Sequence, residues 1–126
     1  MQLINNALGA PNAIGPYSQA AKSQGFLFCS GQIPIDPATG KIEAGEVEGQ
    51  ATQVFANIRA LLASQGLGME QVVKATVFLQ DMADFPKVNA LYAAAFGDHK
   101  PARSTVQVAK LPLGALVEIE VIAEGA

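Results

Sequence analysis

Residues 101–122 read PARSTVQVAKLPLGALVEIEVI, in which two strand-forming runs, RSTVQV (103–108) and LVEIEVIA (116–123), flank the turn-rich KLPLGA (110–115). Side chains alternate between faces along a strand, so each run splits into an apolar and a mixed set. In the first run Ser104, Val106 and Val108 stand against Arg103, Thr105 and Gln107. In the second Val117, Ile119, Val121 and Ala123 stand against Leu116, Glu118, Glu120 and Ile122. Joined as an antiparallel hairpin with the mixed faces together, the two runs need opposed residue numbers whose sum is odd, near 223. That register sets Arg103 against Glu120 and leaves Glu118 on the diagonal, about 7 Å away.

Working outward, VVKATVFL (72–79) divides in the same manner, with Val73, Ala75, Val77 and Leu79 against Val72, Lys74, Thr76 and Phe78. FLFCS (26–30) is a further strand signal, with weaker ones at 2–5 and 18–22. Val54, Phe55, Ile58, Leu61 and Leu62 recur at helical spacing before Gly66, which predicts a helix reaching back to about Val47. A second helix is expected over 84–96, capped by Asp84, with Pro86 in its first turn and a stripe of Phe85, Val88, Leu91, Tyr92, Ala95 and Phe96. The pattern predicts a single α+β domain over residues 1–126, with about six strands and two helices on one side of the sheet. Two helices cover one face only. The mixed composition of the other suits a subunit interface that keeps polar pockets.

Half of the 126 residues are apolar and 15% are charged, a low surface charge that also points to association. The formal charge is −3 and the eight basic residues are scattered, so no Lys/Arg cluster suits a row of phosphates and no nucleic-acid partner is expected. One cysteine, Cys29, excludes an internal disulfide and fits a reducing compartment. The N-terminal MQLINNALGAPNAIG lacks the pattern of a targeting peptide, and no apolar run approaches membrane-spanning length. The expected location is cytoplasmic, without a membrane partner.

Two readings of the arginine and glutamates stand side by side. A cross-strand salt bridge contributes at most about 1 kcal/mol when exposed. Alternatively, Arg103 clamps an anionic ligand while a glutamate performs acid/base work. His99, the lone histidine, reads as a solvent-facing loop residue, and Cys29 as a small buried apolar one. No metal site is expected.

The segments GPYSQA (15–20), FCSGQIP (28–34), VNALY (88–92) and PARSTVQVAKLP…VEIE (101–120) together resemble the RidA/YjgF reactive intermediate deaminase family, in its order and spacing. The resemblance implies a chorismate-mutase-like fold with a mixed sheet, and a homotrimer with ligand pockets between subunits. It implies cofactor-independent hydrolysis of 2-imino acids and their enamines, such as 2-iminopropanoate and 2-iminobutanoate, to 2-oxo acids and ammonia. The catalytic pair would be Arg103, binding the substrate carboxylate, and Glu118, activating water. Tyr17, Ser30, Gly31, Asn89 and Thr105 would line the pocket. Thr105 stands where many relatives have cysteine. A small-carboxylate sensor without turnover is an alternative, and a ribonuclease or chaperone-like role a further one.

Overall fold

Helical spacing and strand alternation are both realised in a computed structural model that describes residues 1–126. The strands are β1 (Gln2–Ile4), β2 (Ala20–Ser23), β3 (Phe26–Cys29), β4 (Ile35–Asp36), β5 (Lys41–Ile42), β6 (Val72–Leu79), β7 (Ala102–Gln107) and β8 (Val117–Glu124). The helices are α1 (Val47–Ala63) and α2 (Phe85–Phe96). Val54, Phe55, Ile58, Leu61 and Leu62 of α1 are at most 2% exposed, and Val88, Tyr92 and Phe96 of α2 join them in one core with the inward residues of β6 and β8. Asp84 precedes α2 without capping it through its side chain; Asp81 instead accepts from the Ala83 N–H at 2.9 Å. Gly97 ends the helix at φ +61°, a backbone conformation that costs glycine little.

The main sheet has the order β1-β2-β3-β8-β6-β7, with β6 and β7 parallel and the remaining neighbours antiparallel. A separate two-stranded ribbon, β4 with β5, lies between β3 and α1 in the chain. The fold class is the one expected, an α+β domain with a six-stranded mixed sheet and two helices.

The expected β7–β8 hairpin does not form. β8 lies between β3 and β6, while β7 sits at the sheet edge, delivered parallel to β6 by the α2 crossover. A parallel neighbour requires a long connection, which α2 supplies, and KLPLGA then carries the chain past β6 rather than folding back tightly. Arg103 is therefore not opposite Glu120. It pairs with Ala75, and Thr105 with Val77, so β7 turns Arg103, Thr105 and Gln107 to the helix side. Ala102, Ser104 and Val106 face the other way, the reverse of the expected assignment. β6 departs as well. A bulge between Val72 and Lys74 brings Val72 inward, at 1% exposure, and leaves Val73 40% exposed.

β8 follows its alternation throughout, with Val117, Ile119, Val121 and Ala123 at no more than 1% exposure. The sheet face away from the helices carries Phe26, Phe28 and Val106, each more than a third exposed. No helix is long and apolar enough to cross a membrane.

Ile119 is fully buried on β8 between two neighbouring strands. Ile119→Ala is expected to destabilise the fold by about 2–5 kcal/mol, the usual cost of a cavity in a core of this kind. Urea unfolding followed by far-UV circular dichroism checks this, since the chain has no tryptophan.

Candidate active site

Arg103 lies on β7 directly above α2. Its Nη1 donates to Asn89 Oδ1 at 2.7 Å, and its guanidinium carbon sits 4.7 Å from the Tyr92 ring centroid and 5.4 Å from that of Phe85. The planar cation is thus held on two aromatic faces and by one amide, leaving other N–H groups free for a ligand. No carboxylate lies within ion-pair distance, because the chain's one ion pair joins Lys87 to Glu48 on the surface. The salt-bridge reading of Arg103 is excluded within the chain.

The hollow beside this arginine, about 280 Å³, is lined by Asn89, Tyr92, Phe96, His99, Lys100 and Arg103 among others. Two buried oxygens on this side have no hydrogen-bond partner, Tyr92 Oη and Thr105 Oγ1. Burial pushes the Tyr92 phenol up from its ordinary range, with the nearby guanidinium opposing. His99 is not a free loop residue. Its Nε2 donates to the Val72 carbonyl at 2.6 Å, at the bulge of β6, and its ring lies against Phe96. The crossover leading into Arg103 is thereby tied to the sheet.

Glu118 projects from the opposite face. It lines a second hollow, of about 460 Å³, with Ile14, Tyr17, Ser30, Gly31, Ile33, Pro112 and Glu120. Burial first, and the Glu120 charge second, raise the Glu118 carboxyl above the usual glutamate range. Gly31 makes room for it, since a β-carbon there would clash with Glu118 Oε2 and displace the carboxylate. Ser30 Oγ donates to the Ser18 carbonyl at 2.6 Å, and the Tyr17 hydroxyl accepts weakly from the Ile14 N–H at 3.4 Å. Cys29 is half-buried and its thiol is pushed up to about 12 by burial, which removes it as a nucleophile.

The expected residues therefore fall into two groups. Tyr17, Ser30, Gly31 and Glu118 share one hollow, Asn89 and Arg103 share another, and Thr105 lies on the same face of β7 as Arg103. Within one chain the groups do not meet. Arg103 aligns with Ala75 on β6 and Glu118 with Phe78, two strands apart and three residues along, so strand spacing and rise separate their backbones by about 14 Å. Their side chains also leave opposite faces.

Tyr92 and Phe85 were read from sequence as stripe residues only. The three-residue step from Asn89 to Tyr92 on one helix face was the available signal. The framework was equally silent in the sequence. Buried Asn57 donates to the Ile35 carbonyl at 2.9 Å, Gln50 accepts from the Leu116 N–H at 2.8 Å, and Gln19 accepts from the Ala7 N–H at 2.9 Å.

The endoribonuclease L-PSP family pattern matches residues 7–125. A RutC family protein of Pyrococcus horikoshii is 54% identical over 114 residues, which cover 90% of each chain. The chloroplastic Reactive Intermediate Deaminase A of Arabidopsis thaliana is 49% identical, over 90% of this chain and 61% of its own. Among solved structures, RidA of an Antarctic Psychrobacter superimposes with a TM-score of 0.93 at 42% identity, covering 98% of this chain and 99% of its own. Escherichia coli TdcF with bound serine gives 0.92 at 40% identity, covering all of both chains.

The direction of the Glu118 shift fixes a stability test. A carboxyl raised in the folded state costs stability once ionised, so its favourable contribution is present below the ordinary glutamate range and lost as pH rises through the raised value. Glu118→Gln is expected to have a higher Tm than the parent at pH 7. The difference should vanish below about pH 4, where an ordinary glutamate is itself protonated; thermal melts across pH check it.

Proposed function

The chain belongs to the RidA/YjgF family, and from that premise we propose that it hydrolyses 2-imino acids and their enamine tautomers to 2-oxo acids and ammonia. The observation that carries this reading is Arg103, an exposed guanidinium oriented by Asn89 and Tyr92 with no acid to neutralise it. A substrate carboxylate is the natural counter-charge, bound through two parallel N–H donors.

The second requirement is a base. Glu118, half-buried and with its carboxyl raised above the usual glutamate range, is suited to accept a proton and return it. Water adds to the iminium carbon as its proton passes to Glu118. The resulting carbinolamine takes that proton on nitrogen, the C–N bond breaks to release ammonia, and the hydroxyl proton passes through the Glu118 carboxylate to the ammonia as the carbonyl forms, giving the 2-oxo acid and ammonium. The iminium carbon is already electrophilic, so the residues' contribution is placement of substrate and water.

Arg103 and Glu118 serve one small substrate only if they come from different copies. Adjacent subunits would bring the helix-side edge of one against the uncovered sheet face of the next. The exposed Phe26, Phe28 and Val106 on that face support such packing, and the family resemblance supports three copies in a ring. A carboxylate sensor is the second reading, supported by the serine bound to the TdcF relative.

Imines generated in situ by an amino-acid oxidase or dehydratase, with 2-oxo acid release followed, test the activity. Arg103→Ala is expected to lower kcat/KM about a hundredfold through lost placement. Glu118→Gln should lose rate while keeping 2-oxo acid affinity; unchanged affinity with no wild-type acceleration would favour the sensor. Co-refolding Arg103→Ala with Glu118→Gln tests the shared site. In a closed ring mixed equally, about one interface in four regains both native residues, so about a quarter of the activity should return. No recovery above the separate variants would place both residues within one subunit's site.

A further inference from the structure

The cationic side of the Arg103 hollow carries more positive charge than one carboxylate needs. Its polar lining is Asn89, His99, Lys100 and Arg103, and it contains no aspartate or glutamate. Lys100, like Arg103, has no acidic partner within ion-pair distance. The loop that presents Lys100 is anchored rather than free. His99, its chain neighbour, is bound to the Val72 carbonyl at 2.6 Å, its ring rests on Phe96 at 6.2 Å, and Phe96 rests on Tyr92 at 4.6 Å. Tyr92 in turn underlies Arg103, so the lysine backbone is fixed in relation to the guanidinium. Tyr92 is 8% exposed and its hydroxyl has no partner, leaving a buried donor on the same wall.

From this we propose that the hollow has a second anion-binding position at Lys100, and that the protein accepts dicarboxylic 2-imino acids in addition to monocarboxylic ones. This rests on Arg103 holding the 2-carboxylate. Lys100 precedes Arg103 by three residues, and its long side chain allows the ammonium to meet a carboxylate two or three carbons further along the same ligand. Electrostatics also fix which wall receives it. The Glu118 hollow carries Glu118 and Glu120, whose charges repel a second carboxylate, whereas the Lys100 wall is free of acids. An exposed lysine–carboxylate pair contributes modestly, so the expected discrimination is about fivefold and weakens with salt.

The test is calorimetric binding of 2-oxoglutarate and of 2-oxopentanoate, its same-length counterpart without the distal carboxylate, to the assembled wild-type protein, Lys100→Met and Lys100→Arg. Wild type is expected to bind 2-oxoglutarate about fivefold more tightly. Lys100→Met should abolish that preference without altering 2-oxopentanoate affinity, and Lys100→Arg should retain it. Equal wild-type affinity for the two acids, or an equal loss of both in Lys100→Met, would overturn the second position alone. Failure of both acids to bind would overturn it together with the Arg103 clamp, whereas a protein that binds both with the stated preference yet hydrolyses no imine loses only the deaminase reading.

Discussion

The parallel pairing of β7 with β6 is the constraint on which the arrangement of charges depends. A strand offers its side chains alternately to the two faces of a sheet, and the register Ala75–Arg103 leaves the arginine no choice of side. The α2 crossover imposes that register, and it also supplies Asn89, Phe85 and Tyr92, which hold the guanidinium once it arrives. Support and supported residue come from one β-α-β unit. β8 obeys the same alternation from the other side of β6, and its clean burial pattern sends Glu118 and Glu120 to the face the helices do not cover.

The Glu118 half of the site is framed by buried side-chain amides. Gln19 ties the segment 7–11 beneath Tyr17, through the Ala7 N–H and the Pro11 carbonyl. Asn57 on α1 holds the Ile33 and Ile35 carbonyls, just beyond Ser30 and Gly31. Gln50, about two turns earlier on α1, receives the Leu116 N–H two residues before Glu118. Irregular loops carry backbone groups with no ladder partner, and burying them unpaired costs about 1–3 kcal/mol each. These amides satisfy such groups and fix the loops in the same contacts. The uniformly apolar stripe of α1 therefore includes polar exceptions at Gln50 and Asn57, both less than 5% exposed.

Much of this was legible in the sequence, and the failures have physical causes. α1 and α2 follow from a helical period long enough to bury one stripe, and β8 from strict alternation. β7 was assigned to the wrong face because Val106 appeared to mark the core. The uncovered face is itself partly apolar, with Phe26 and Phe28, so hydrophobicity does not distinguish the faces of an edge strand. The β6 bulge shifted Val72 and Val73 by one position, which no period-two pattern records. Arg103 and Glu118 stood out through motif resemblance, whereas Tyr92 was hidden by its dual service as core residue and guanidinium platform. Gln19, Gln50 and Asn57 resemble surface residues until the loops they bind are known.

The two halves of the site are each electrostatically incomplete. On the helix side Arg103 lacks an acid; on the other face burial and the Glu120 charge raise the cost of ionising Glu118, and neither glutamate has an ion-pair partner. Burying an unpaired charge is unfavourable, so both halves remain open to solvent in a single chain. Joining a cationic edge to an acidic hollow between copies relieves both deficits only in part, because a close Arg103–Glu118 pair would occupy the place of the ligand. On the proposed function, a substrate carboxylate would resolve this by neutralising the arginine while its reacting carbon separates the two groups. The glutamate would then keep the raised, proton-accepting character that direct pairing with arginine would suppress. On that reading, placing Arg103 and Glu118 on opposite faces of one sheet prevents them from neutralising each other within a chain and would leave their distance to be set by assembly.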